Sequence, residues 1–408
     1  VPTTTTTTVT PVAPVSGGPG VLDALSLLAE VTDELVVRSV RDTHLAWADR
    51  AHGLTRRAAE ASGVAGAVTA VPQVVHRGIA AAVYGGLGRG LRAASRGLDT
   101  AAAADLGPRL EATSRGRFVS AAVNGLIGDR LLEQRPQLAI PMAVRRHGRD
   151  VAPEPDALTE AFPDATGHLV LFLHGLCENE DYWNRGREHR GTTYGEALAA
   201  DGWSPLFLRV NTGLPLRENG VALTALVQRL VESWPVPVTR IALVGHSLGG
   251  LVVRAAGAVA AAPGSPDWNT LVTDVVTLGT PHLGAPIAWG IGHGSRGLQC
   301  LPETAAFGRI LDWRSTGVHD LVAGLAEDVP PLPHARYRLV SATVTESERH
   351  PVGHVVGDLL VRPRSAYGRD RRGGELFPGA DVLHVGRTDH FGLLNHPDVL
   401  VALRRWLS

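Results

Sequence analysis

From residue 167 onward the sequence predicts an α/β architecture, a mostly parallel sheet flanked by helices. Three observations carry that expectation. Short apolar runs such as LVLFL at 169–173 and IALV at 241–244 recur between helical stretches. These runs are continuous rather than alternating, as strands covered on both faces require. Finally, Ser247 stands among glycines where one run meets the next helical stretch, in IALVGHSLGG. An N-terminal helical region and a lid-like insertion complete the expected layout.

Taken in order, residues 1–20 carry an unbroken threonine row at 3–8, then Pro11, Pro14 and Gly17-Gly18-Pro19-Gly20. They supply no apolar stripe for a helix to bury and read as a flexible leader. Residues 21–135 are alanine-rich and studded with arginine, with Leu22, Leu25, Leu28 and Leu35 as early apolar positions. Gly63, Gly66, Gly85, Gly86, Gly88, Gly90 and Gly97 interrupt this helical region, which predicts several short helices in place of one rod. Its slight basic bias and apolar faces suit a lipid interface, or a helical flank packed on the main domain. Residues 136–166, richer in proline and short polar turns, read as a linker into the main domain at 167–408. There the pattern predicts strands at 168–173, 204–209, 240–244, 272–278, 337–344 and 381–385. Helices are expected at 192–200, 220–233, 248–261 and 396–406.

The whole chain bounds the function classes. Its 408 residues allow one large domain with an appendage, or two domains. Hydrophobic residues at 44% and charged residues at 19% describe a globular protein. The net charge of −1 gives no electrostatic ground for a nucleic-acid partner. All 39 basic residues are arginine, which we read as coding bias, and lysine-based Schiff-base or general-base chemistry is excluded. No run of about 18 apolar residues occurs, so no transmembrane segment is expected. The chain starts at Val1, which leaves open a leader removed ahead of it. Cytoplasmic and exported or cell-envelope locations both stay open. Cys177 and Cys300 allow one disulfide, two inert thiols or two unrelated apolar residues, and decide no compartment.

A strand ending near Val244 and a helix beginning at Leu248 would place Ser247 on a tight turn. Gly245 and Gly249 remove side chains that would collide with the adjoining strand and helix. The following helix turns its free N–H groups toward the site, and the Leu248 amide is placed to hold an oxyanion.

With that turn on the page, the chain resembles the α/β-hydrolase superfamily, and more closely its lipase and carboxylesterase branch. The resemblance covers 167–408 and rests on HGL at 174–176, GHSLGG at 245–250, GTPHLGAP at 279–286, GDLLV at 357–361 and DHFGLLNHP at 389–397. It implies Ser247 as nucleophile, His390 as base and Asp358 as the supporting acid, with the Leu176 amide as the other oxyanion donor. Leu359 stands where related lipases commonly have a second glycine. His174 is expected to orient the oxyanion turn or pack within it, and His282 to serve as wall or packing. His384, His396, Glu346, Glu348 and Asp389 are expected in structural or solvent-facing roles.

The implied activity is hydrolysis of carboxylic esters through an acyl-serine, by a lipase or carboxylesterase acting on hydrophobic medium or long acyl esters. An acyltransferase with the same triad and a non-enzymatic lipid-binding protein are the alternatives. No cofactor or metal is expected. The 287–336 stretch exceeds an ordinary connection and carries Leu298, Leu301, Phe307, Ile310 and Trp313, consistent with a lid, an acyl-chain wall or padding. If the two elements meet, a Cys177–Cys300 disulfide would tie this insertion to the site.

Overall fold

A computed structural model of the chain describes residues 19–38, 66–104, 106–259, 267–285, 315–325, 329–370 and 372–408, with scattered positions between 40 and 57. The leader through residue 18 lies outside the described residues, as do Cys300 and the five apolar residues named above for the insertion.

The N-terminal region is helical. Its principal elements are α1 (Val21–Val31), α2 (Gly66–Ala103) and α3 (Ser114–Gln134). α2 runs for 38 residues through Gly85, Gly86, Gly88, Gly90 and Gly97, against the expectation of several short helices. An interior glycine costs about 1 kcal/mol relative to alanine, which weakens a helix without ending it. Contact with α1 and the residues after it supplies the difference. The Ser26 and Ser95 hydroxyls meet at 2.9 Å, and Arg92 donates to Asp33. A Cβ at Gly88 would lie 2.4 Å from Asp33 Oδ1, so a glycine there admits that carboxylate.

Residues 136–166 hold more than a linker pattern reveals. β1 (Ala143–Arg146) and β2 (Arg149–Val151) form a hairpin that turns at His147 and Gly148, with left-handed φ values of 51° and 75°. Strands of four and three residues are too short for a periodicity to register. The main domain continues with β3 (His168–Leu173), β4 (Ser204–Arg209), β5 (Arg240–His246), β6 (Val272–Leu278), β7 (Arg336–Ala342) and β8 (Asp381–Val385). All six lie where the apolar runs predict them. The accompanying helices are α4 (Pro155–Ala161), α5 (Tyr194–Ala200), α6 (Leu216–Ser233), α7 (Leu248–Gly257), α8 (Thr316–Ala323), α9 (Pro351–Val356) and α10 (Pro397–Leu407).

One sheet runs in the order β2-β1-β4-β3-β5-β6-β7-β8. β3 through β8 are parallel, and the β1–β2 hairpin adds antiparallel to β4. Side chains of β3 divide between two cores. Leu169, Leu171 and Leu173 pack with Leu223 and Leu230 of α6 and Leu251 of α7. Val170 and Phe172 pack with Leu198 of α5 and Leu403 and Trp406 of α10. Burial on both faces is why the strand has no polar alternation.

β3 is followed by β4 on one side and has β5 on the other, so the winding reverses between β3 and β5. A crevice opens at the carboxyl ends of the strands at such a reversal. α3 reaches this end as well, since a Cβ at Gly125 would lie 2.5 Å from Cys177 Sγ. α3 kinks at Ile127, where φ is −143°. There the Gly125 and Leu126 carbonyls accept from the Ser315 hydroxyl and amide, each at 2.7 Å. No described helix is long and apolar enough to cross a membrane.

The division of the core predicts where stability resides. Leu171→Ala, at a fully buried position, is expected to lower unfolding free energy by about 3 kcal/mol in urea titrations followed by circular dichroism. Val221→Ala, on the half-exposed face of α6, is expected to stay within about 0.5 kcal/mol of the parent.

Candidate active site

β5 ends at His246 and α7 begins at Leu248, so Ser247 alone makes the turn. It adopts φ 51° and ψ −123°, a conformation that costs a residue with a Cβ roughly 1–3 kcal/mol. The surroundings hold it there. Its N–H donates to Leu278 O at 2.8 Å. A Cβ at Gly245 would lie 2.5 Å from Gly250 N, and one at Gly249 would lie 2.4 Å from Leu173 O, so the turn closes only with glycine at both positions. The Ser247 hydroxyl makes no hydrogen bond among the described residues.

His390 opens a short helical turn after β8, and Asp358 follows α9. His390 Nδ1 donates to Asp358 Oδ2 at 2.8 Å, and both side chains are almost fully buried. The His390 amide also donates to Asp358 O at 2.9 Å. Asp358 Oδ1 accepts the Leu360 and Val361 amides at 3.0 and 2.8 Å, which locks the carboxylate against rotation. With Nδ1 donating, Nε2 is the nitrogen left to accept a proton. The ring lies on Gly279, where a Cβ would stand 3.1 Å from Nδ1, and Ser247 is bonded to the preceding carbonyl. Asp358, the His390 ring and the turn bearing Ser247 therefore lie near one another at the carboxyl ends of β5 and β6.

The alternative residues are occupied elsewhere. Glu346 takes Arg387 at 2.7 Å, Glu348 accepts from the Tyr367 hydroxyl at 3.2 Å, and Asp389 caps the His390 turn through Gly392 N–H at 2.7 Å. His384 meets the Thr343 hydroxyl at 2.9 Å, and His396 caps α10 by accepting from Asp398 N–H. His282 is buried against Phe377, and burial drives its ring well below the ordinary histidine range.

The turn after β3 lies against the serine, since a Cβ at Gly175 would be 3.0 Å from Ser247 Cβ. His174 Nδ1 donates to Gly175 O at 2.9 Å, and its Nε2 accepts from Val210 N–H at 3.0 Å. That pair of bonds needs the neutral ring, and burial holds its pKa below the usual value. His174 thus orients the turn. The Leu176 N–H has no acceptor among the described residues, while Leu248 supplies one of the free amides at the start of α7. Cys177 carries a free thiol, pushed up to about 11 by burial, and Cys300, with which a disulfide is one of three readings, lies outside the described residues.

Two residues here escaped the sequence reading. Glu178 Oε2 accepts Gly175 N–H at 2.8 Å and stands 3.0 Å from His246 Nδ1. An acid three residues after a turn glycine is the spacing of a local cap, but only folding brings His246 to it. Beside the site, a depression of about 300 Å³ is lined by Ser114, Phe118, Asn179, Asp181, Tyr182 and Arg185. It lies between α3 and the turn after β3 and includes none of Ser247, Asp358 or His390. Among the described residues no group of His, Cys, Asp or Glu is arranged to hold a metal ion.

A family model described as "Putative serine esterase (DUF676)" matches residues 163–288, which span β3 through β6 and both the Gly175 and Ser247 turns. The architecture is that of the α/β-hydrolase superfamily. Among solved structures, the chain is similar to lipase BlEst2 of Bacillus licheniformis in its mature form, at 18% identity and a TM-score of 0.40. That alignment covers 59% of this chain and 91% of the lipase. EstA of Clostridium botulinum aligns at 14% identity and a TM-score of 0.38, covering 56% of this chain and 83% of its own. Carboxylesterase CesB of Bacillus subtilis aligns at 14% identity and a TM-score of 0.36, covering 72% and 96%. No curated protein matches the chain in sequence.

The loop that carries Asp358 holds a strain that can be removed. Leu359 holds φ 85° with its side chain 49% exposed, so a leucine occupies a left-handed position that favours glycine. Leu359→Gly is expected to raise stability by up to about 1 kcal/mol, reduced by the extra freedom of glycine in the unfolded chain. Thermal unfolding checks it. A loss of stability would mean that Leu359 packing outweighs the strain.

Proposed function

We propose that the chain is a serine hydrolase that cleaves carboxylic esters through an acyl-serine intermediate. The observation that supports this most is the 2.8 Å bond from His390 Nδ1 to Asp358, which leaves Nε2 to accept a proton on a ring that lies against Gly279, next to the carbonyl that holds the Ser247 amide. In this reading Ser247 Oγ attacks the ester carbonyl carbon while His390 Nε2 takes the hydroxyl proton. Negative charge collects on the former carbonyl oxygen and is met by the Leu176 and Leu248 amides. The carbon–oxygen bond to the leaving alcohol then breaks as His390 returns its proton to that oxygen. Water repeats the sequence on the acyl-serine and releases the acid. Asp358 holds the ring tautomer and offsets its positive charge.

We assign hydrophobic esters as the substrate class, with medium or long acyl chains. The apolar residues of the 287–336 insertion support that choice, because they are suited to cover an acyl chain. A lipase or carboxylesterase is the enzyme class that results.

Ser247→Ala is expected to lower ester turnover by at least ~10³-fold while leaving the fold intact. Wild-type turnover in the purified variant, or failure of the parent to react with a fluorophosphonate, would remove Ser247 as nucleophile. A p-nitrophenyl series from acetate to palmitate tests the substrate class separately. Turnover is expected to peak at medium or long chains; activity confined to acetate and propionate would reject the acyl-chain assignment and leave the serine mechanism standing.

A further inference from the structure

Glu178 and His246 form a buried titratable pair that the scheme above leaves unused. His246 is fully buried and precedes the nucleophile by one residue. Its Nδ1 lies 3.0 Å from Glu178 Oε2, and its Nε2 lies 3.2 Å from the backbone oxygen of His390. A carbonyl oxygen can only accept, and so can an ionised carboxylate, so both ring nitrogens must carry protons for both bonds to exist. His174 has the opposite inventory, one acceptor and one donor facing its ring, and is neutral. Two buried histidines in one site thus carry different charges, each set by its partners.

The same Glu178 oxygen accepts the Gly175 amide at 2.8 Å. One carboxylate therefore links the turn bearing Leu176 to His246, and His246 links the serine turn to the His390 loop. We propose that the Glu178–His246 ion pair is a positioning device that keeps the oxyanion turn, the serine turn and the base loop in register, and that it works only while His246 carries both ring protons. This rests on the reading of Ser247, His390 and Leu176 given above.

Burial works against a charge on His246, and the Glu178 charge and hydrogen bond, the His390 carbonyl and Asp358 outweigh it, so its pKa lies above the ordinary histidine value. Burial also raises Glu178, and the His246 ring together with the Gly175 amide brings it below the ordinary value. The titratable groups facing His246 are therefore Glu178, Asp358, His174 and the His390 ring 4.7 Å away. Glu178→Gln keeps the shape and removes the charge. A neutral His246 that still donates through Nδ1 would turn a bare Nε2 lone pair toward the His390 carbonyl, and the tie to the base loop would be lost.

Nitrogen-15 NMR of the histidine rings in the full chain reads this state directly, with His246→Gln identifying the resonances. At neutral pH the parent His246 is expected to show both nitrogens protonated, and the Glu178→Gln protein only one. Turnover of p-nitrophenyl butyrate and the rate of fluorophosphonate labelling are both expected to fall ~10- to 100-fold in Glu178→Gln and in His246→Gln, with KM changed less than about threefold. The double variant is expected to fall no further than the worse single one, as residues of one unit do. A singly protonated His246 in the parent overturns the proposal, as does Glu178→Gln that loses the second proton yet turns over and labels like the parent. If Glu178→Gln does not fold, the parent spectrum and His246→Gln still decide. A parent with doubly protonated His246 that neither turns over esters nor labels would support the tie and defeat the ester-cleaving reading instead.

Discussion

The reactive end of this fold depends on how closely α7 approaches the ends of β3 and β5. A helix that starts one residue after its strand has no connector to absorb the change of direction, so Ser247 absorbs it in a strained conformation. The approach is limited by backbone: the α carbon of Gly249 faces Leu173 O with no room for a methyl group, and Gly245 meets the first turn of α7 in the same way. This contact brings the free amides of a helix start to the winding reversal between β3 and β5, where the Gly175 turn also lies. The strain at Ser247 and the free amides beside it thus come from one steric fact.

Electrostatics then decides what can be buried there. A lone charge in a protein interior costs several kcal/mol, so buried ions require partners for most of their hydrogen-bonding capacity. Asp358 has them in two amides and the His390 ring, and Glu178 in an amide and the His246 ring. A second charged group lies farther along the same loop. Arg145 donates to Glu180 at 2.8 Å, and Arg209 donates to Glu111 at 2.6 Å and Asp150 at 2.7 Å. These bonds tie the β1–β2 hairpin, β4 and the residues before α3 to the segment that follows the Gly175 turn.

What could be read from sequence divides along the same physical line. The parallel strands, the serine turn and the turn after β3 are local features, set by continuous apolar runs and by glycines within a few residues of one another, and they appear where those features place them. Motif resemblance singled out Asp358 and His390, and the fold brings their side chains within 2.8 Å of each other, while the left-handed φ at Leu359 marks a position that glycine fits with less strain. The contact of Glu178 with His246 was not legible, because it joins residues 68 positions apart. The β1–β2 hairpin is too short to show a period. The continuity of α2 depends on contacts such as Ser26 with Ser95, which helix propensity does not contain.

α3 shows how an element outside the hydrolase motifs becomes part of their geometry. Gly125 faces Cys177, immediately after the Leu176 amide, and Gly128 faces Asn211 in the loop after β4, where a Cβ would lie 2.0 Å from Oδ1. At the kink of Ile127 the Gly125 and Leu126 carbonyls accept from the Ser315 hydroxyl and amide, just before α8. A helix with larger side chains at 125 and 128 would stand off from both loops. The placement of the turn after β3 and of the segment that opens α8 is therefore set from the same two turns of α3, so displacement of that helix moves both together.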